Sequence, residues 1–169
     1  MRPRPPDLCP PPGTPAPRRK RWFPAALPAL LLSACLTPRE PDPSWSEAEA
    51  SIASRRLGLE VAAQAFESQG YQIGTGLDTT AGRVLSQWKV SLAPFRGDGQ
   101  RKRAEASLEP LSTGRYRLQV RVQVQANVNL SDPLDISLAE WEWRPEDTVA
   151  ADILLQKMLA LLGEPLKQG

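Results

Sequence analysis

The feature that most constrains this fold is a run of strict alternation at 115–128. Tyr116, Leu118, Val120, Val122, Val124, Ala126 and Val128 are apolar, and Arg117, Gln119, Arg121, Gln123, Gln125 and Asn127 between them are polar. Period two over this length specifies a long β-strand with one dry face and one wet face. One strand cannot bury such a face alone, so the chain needs neighbouring strands and a covering layer.

Flanking segments supply both. Gly82–Leu92 reads as a strand with Val84, Trp88, Val90 and Leu92 inward and Arg83, Gln87 and Lys89 opposite. Arg101–Leu108 reads as another, with Ala104, Ala106 and Leu108 inward and Arg101, Arg103 and Glu105 outward. Between them Pro94–Gln100, with Gly97-Asp98-Gly99, has the composition of a hairpin loop. Tyr71–Asp78 reads as a looser first strand, and Leu111–Gly114 as a turn. Residues 129–140 form a loop, and Trp141-Glu142-Trp143 a short additional strand. The two remaining amphipathic stretches are helical. Ser44-Trp45-Ser46-Glu47 has capping-box spacing ahead of a helix to Gln69, with Trp45, Ala48, Ile52, Leu59, Ala63 and Phe66 as its stripe. A second helix starts at Pro145 and ends near Leu162, before Gly163, with Val149, Ile153, Leu154, Met158, Leu161 and Leu162 as its apolar side. The expected architecture is α+β: a two-layer sandwich with an antiparallel sheet of about four strands and the N- and C-terminal helices on one face.

The segment before this domain is of another kind. Thirteen of the 18 prolines fall in residues 1–43. Residues 1–35 carry six cations (Arg2, Arg4, Arg18, Arg19, Lys20, Arg21) and one acid, Asp7, which leaves 15 cations and 18 acids for residues 36–169. The body is therefore mildly acidic, and the charge pattern gives no support to nucleic-acid binding. Arg18–Arg21 precede an apolar stretch of 11 residues, Trp22–Leu32, followed by Ser33, Ala34 and Cys35. A basic region, a short apolar region and small residues before a cut site make a secretory signal, too short for a helix spanning roughly 30 Å of hydrocarbon.

Leu32-Ser33-Ala34-Cys35 resembles the lipobox of bacterial lipoproteins. The resemblance implies cleavage before Cys35, acylation of that cysteine and attachment to a membrane on the periplasmic side. Leu36 in place of Asp after the acylated residue leans toward the outer membrane. The chain then divides into a signal peptide (1–34) with a proline-rich basic n-region, the lipidated Cys35 with an extended tether (35–43), and one α+β domain (44–169). No cofactor is expected beyond the covalent lipid on Cys35. The body also weakly resembles accessory lipoproteins of outer-membrane assembly, of the barrel-assembly helix-grip or lipopolysaccharide-transport type. Gly70-Tyr71, Asp78, Gly82 and Trp88 carry that likeness.

The residues limit the chemistry. The chain has no histidine, and its two cysteines are Cys9 and Cys35. A Ser-His-Asp or Cys-His group and a His-ligated zinc are excluded, as is a disulfide or Cys-zinc site after residue 35. Asp78, Asp98, Asp132 and Asp135 sit in or beside turns, where aspartate serves the backbone. The wet face offers Arg83, Lys89, Arg101, Arg103, Arg115, Arg117 and Arg121, either a patch for an anionic partner or an ordinary solvated face with edge-protecting charge. Trp141 and Trp143 are either core or an exposed contact. The expected function is a lipid-anchored, non-enzymatic scaffold or adaptor with an envelope protein partner. The alternatives are a small-ligand or lipid-binding module with a cavity between helices and sheet, and third a carboxylate-dependent hydrolase.

Overall fold

The computed structural model describes residues 39–92 and 99–163. Cys35 and the Leu32-Ser33-Ala34 motif lie outside the described residues, as do 93–98 of the expected hairpin loop. The element order is β1 (Ser46–Ser51), α1 (Arg55–Ser68), β2 (Ile73–Asp78), β3 (Arg83–Ser86), β4 (Lys89–Ser91), β5 (Gln100–Ser112), β6 (Arg115–Asn127), a 3-10 turn (Ile136–Leu138), β7 (Trp141–Arg144) and α2 (Thr148–Leu162). The fold is α+β, with a large antiparallel sheet and two helices. The sheet has seven strands rather than about four, in the order β1-β6-β5-β3-β2, with β4 also pairing β5 and β7 also pairing β6.

The hairpin of β5 and β6 is the axis. It pairs continuously from Gln100↔Ala126 to Pro110↔Tyr116, and Gly114, at φ +73°, turns the chain. Each flank of this hairpin is served by two short strands in tandem. β3 and β4 lie along β5, and β1 and β7 lie along β6. The alternation at 115–128 predicts β6 closely: Leu118, Val120 and Val122 are fully buried.

The helices cover that face. Val84, Ala104, Ala106, Leu108, Leu118, Val120 and Val122 form one core with Leu59, Ala62, Ala65 and Phe66 of α1 and Leu154, Met158 and Leu159 of α2. Among the described residues every buried member of this core lies between Ala48 and Leu159, within the compact unit 36–169. At Gly58 α1 packs closely against the sheet. A Cβ there would stand 2.2 Å from Leu108 Cδ2 and 3.2 Å from Ile52 Cδ1. The small residues of α1 are thus used for close approach.

Three expectations need correction. Residues 46–51 are a strand, not the first turns of α1. Ser-Glu-Ala-Glu-Ala-Ser places alanine at every second position, which suits a helix or a strand. The open flank of β6 decides: Ser46–Ser51 pair with Val120–Arg115, burying Ala48 and Ala50. The helix is capped instead by Ser54, whose Oγ accepts from Leu57 N at 3.2 Å. Second, the expected strand 82–92 is broken. β3 pairs as Leu85↔Glu105 and β4 as Lys89↔Lys102, so one extra residue sits between them on this side. Such a bulge inverts the alternation. Trp88 and Val90 move to the outer face, and Lys89 moves to the helix side. Third, α2 begins at Thr148 with Asp147 as its cap and is turned about its axis relative to the expected stripe. Ala151, Leu154, Leu155, Met158 and Leu159 are buried, whereas Val149, Ile153 and Leu161 are exposed.

Candidate functional site

The outer face of the sheet, away from the helices, gathers Arg83, Arg101, Arg103, Arg115, Arg117 and Arg121. These are six of the seven cations expected there. Lys89 is on the other side, where its Nζ donates to Gln69 O at 2.9 Å and lies 5.2 Å from the Tyr71 ring centroid. On that side Lys102 Nζ also meets Asp147 Oδ2 at 2.6 Å. Burial works to raise the Asp147 carboxyl, but the Lys102 ammonium and the Ala150 N–H outweigh it and hold the carboxyl below its ordinary value. Burial, and then the negative charge of Asp147, push the Tyr71 phenol up.

Acids partner much of the outer face. At the hairpin end, Arg115 pairs with Glu49 at 2.7 Å and Arg117 with Glu109 at 3.0 Å. In the middle, Arg121 is a hub. Its guanidinium meets Glu105 at 2.7 Å and both Glu40 and Glu146 at 3.2 Å, and it lies 4.9 Å from the Trp45 ring centroid. Arg83 also pairs with Glu105. Burial opposes the Arg121 charge, yet these three carboxylates leave its pKa raised.

At the far end the pattern changes. The Arg101 guanidinium carbon is 4.6 Å from the Trp88 ring centroid and 4.5 Å from that of Trp141. The Arg103 carbon is 4.6 Å from the Trp88 ring, and Trp88 lies 6.0 Å from Trp143. Each arginine donates Nε to a glutamine across the ladder, Arg101 to Gln125 Oε1 at 2.7 Å and Arg103 to Gln123 Oε1 at 2.8 Å. Neither is in an ion pair among the described residues. Burial lowers the Arg101 pKa, and the charge of Arg103 adds to this. Burial also lowers Arg103, partly offset by Glu105 and Glu40. The two guanidiniums are half-buried beside indoles, and among the described residues their side-chain hydrogen bonds run through Nε. The three tryptophans therefore belong to this outer layer; the inward position expected for Trp88 is corrected, and Trp141 and Trp143, read as either core or an exposed contact, are not buried in the helix-side core.

Sequence reasoning also missed the lid over the middle of the face. Gln123 and Gln125, wet by alternation, are 1% and 6% exposed. The segment expected as an extended tether is fastened to Gln123 and its neighbours. Glu40 accepts from Gln123 Nε2 and from Arg121 Nη1, and Ser44 N donates to Glu146 Oε2 at 2.6 Å. No local spacing signals Glu40, because its partners are about eighty positions away.

Beyond the outer face, the loop 129–140 exposes Leu130, Leu134, Ile136 and Leu138. Asp135 caps its 3-10 turn, and the Ser137 hydroxyl and N–H that it accepts hold its carboxyl below the ordinary value. Asp132 and Asp135 do not join in a larger acidic cluster: among the described residues no group of three or more His, Cys, Asp or Glu is placed to hold a metal. Asp78 serves its turn, accepting from Thr80 N and Ala81 N. No helix among the described residues is long and apolar enough to cross a membrane.

No family model and no curated protein matches the chain. Among solved structures it is similar to a DUF4468 family protein from Bacteroides ovatus, at 12% identity and a TM-score of 0.40, over 78% of this chain and 93% of that one. It is also similar to a TBP-like protein from Parabacteroides distasonis, at 12% identity and a TM-score of 0.32, over 59% of this chain and 64% of that one. At these values neither likeness carries information on function.

Proposed function

We propose that the protein is a lipid-anchored envelope lipoprotein whose α+β domain is a non-enzymatic scaffold or adaptor in an outer-membrane or periplasmic assembly complex. The observation that carries this reading is Leu32-Ser33-Ala34-Cys35, placed behind four consecutive cations and an apolar run of 11 residues. Cleavage before Cys35 and its acylation attach the domain to the bilayer, since each buried methylene contributes about 0.8 kcal/mol and two or more chains hold stably. With Leu36 next to the acylated residue, the outer membrane is the favoured destination. The chain has no imidazole and residues 36–169 have no thiol, and Asp78 and Asp135 serve turns, so recognition by a surface is the activity this domain is suited to. The partner is an envelope protein, met by the outer face or a strand edge of the sheet. The alternative of a ligand cavity under the helices draws no support from an interface as close as that at Gly58. The test is Cys35→Ser. The wild type should fractionate with membranes and take up a fatty-acid label. The variant should lose the label and leave the lipoprotein fraction. Equal labelling of the two proteins would overturn the reading.

A further inference from the structure

We propose that the Arg101–Arg103 pair, framed by Trp88 and Trp141, is a docking site for the phosphate head groups of the membrane that carries the protein. This rests on the lipid-anchored reading above and names what the outer face meets there.

Three observations carry it. The first is the unsatisfied charge. Arg115, Arg117, Arg121 and Arg83 on this face have carboxylate partners, whereas among the described residues Arg101 and Arg103 bond glutamine carbonyls, on Nε. Two residues apart on one strand, with Cα atoms about 7 Å apart, the two side chains share one face beside Trp88. A guanidinium bonded through Nε can still present its two terminal nitrogens to anionic oxygens in a planar fork. Among the described residues no carboxylate forms an ion pair with either arginine, as Glu105 does with Arg121.

The second is the aromatic frame. Trp88 and Trp141 are half-buried, with Arg101 between them. Indoles beside guanidiniums suit a bilayer interface, where one end of a side chain is apolar and the other wet. Val90, opposite Arg101 on β4, is exposed beside them. Asn127, opposite Trp141, holds the apolar loop through its Nδ2 bond to Pro133 O at 3.5 Å.

The third is chain length. Glu40 is fixed to Gln123, and Gln123 accepts from Arg103. Five residues of chain link Cys35 to Glu40, a reach of about 18 Å at most. A lipid on Cys35 therefore holds this face close to the bilayer, where a stiff tether free along its whole length would not. Residues 36–169 carry 15 cations and 18 acids, so general charge does not draw the body to an anionic surface and the attraction has to be local.

The experiment uses residues 36–169 produced alone, which lack Cys35 and the basic leader. Binding to the head groups is thereby measured apart from acylation, and failure of the anchor reading at Cys35 leaves the result unaffected. Co-sedimentation with phosphatidylglycerol vesicles is compared with phosphatidylcholine vesicles and with inorganic phosphate as competitor at matched ionic strength. The wild type should bind phosphatidylglycerol preferentially and resist competition. Arg101→Met with Arg103→Met should weaken partition about thirty-fold, the loss of two charges near an anionic surface at about 1 kcal/mol each. Arg117→Met, which removes a cation already paired with Glu109, should leave it unchanged. Methionine keeps the aliphatic packing on Trp88, and an unaltered thermal melt confirms the fold. The proposal is overturned if the double variant binds as the wild type does, if the wild type does not bind, or if inorganic phosphate displaces it.

Discussion

Replacing Arg121 by methionine should be among the most damaging single changes on the outer face. Its side chain is 12% exposed, and those of Glu105 and Glu146 are 7% and 2% exposed. Methionine keeps most of the stem over Trp45 but leaves both carboxylates without this partner. Glu105 retains Arg83, and Glu146 retains the Ser44 N–H. Removing one member of a buried ion pair costs about 3–5 kcal/mol. The retained partners place the expectation near the lower bound, about 3 kcal/mol, a large part of a domain's usual 5–15 kcal/mol. Arg117→Met is the internal comparison. It breaks one pair whose side chains are 39% and 55% exposed, worth about 1 kcal/mol or less. The assay is urea unfolding of residues 36–169 at neutral pH, followed by tryptophan fluorescence and repeated in high salt. Salt should shrink the Arg117 effect and leave most of the Arg121 effect, because buried pairs are screened less. If Arg121→Met costs no more than Arg117→Met, the hub does not organise this face and the burial argument is wrong.

Other outcomes follow from single contacts. Gly82→Ala should destabilise by about 2 kcal/mol or more in thermal or urea unfolding, because Gly82 sits at φ +69° and an added Cβ would stand 2.8 Å from Leu108 O. Gly58→Ala gains about 1 kcal/mol of helix propensity but overpacks Leu108, for a net loss of up to about 2 kcal/mol. That loss should shrink when measured on a Leu108→Ala background. Asp147 has a depressed folded pKa, so its contribution is present above the unfolded carboxylate pKa of about 4 and is lost as pH falls through the folded value. Lys102→Met should therefore lower stability at neutral pH and flatten its fall below about pH 4, read from unfolding at a series of pH values.

How much of this was legible follows from where each signal lies in the chain. The alternation from Tyr116 to Val128 needed only neighbouring residues, and it located β6, its buried face and its hairpin with β5. The bulge between β3 and β4 was not legible, because Ser86-Gln87-Trp88 contains no Gly or Pro and the extra position shows only against the register of β5. β1 was misread because alanine and glutamate favour helix while the vacant flank of β6 lies some seventy residues away. Six of the seven cations expected on one face lie there, and the seventh, Lys89, was turned over by the bulge. Glu105 and Glu109 were legible as acids on that face, but Glu49, Glu40 and Glu146 were not, since they come from distant parts of the chain. What sets Arg101 and Arg103 apart is that no ion-pair partner stands beside them among the described residues, a property that no single window of sequence contains.

The seating of Glu40 also has a mechanical consequence. β1 starts at Ser46, opposite Val120 near the middle of β6, so a pull on the N-terminal segment would otherwise peel its six rungs one at a time from that end. Glu40 on Gln123 and Arg121, with Ser44 on Glu146, takes the load first and spreads it into β6 and the start of α2. The clasp works as strain relief on a cable, separating tension in the leash from the strand that closes the sheet.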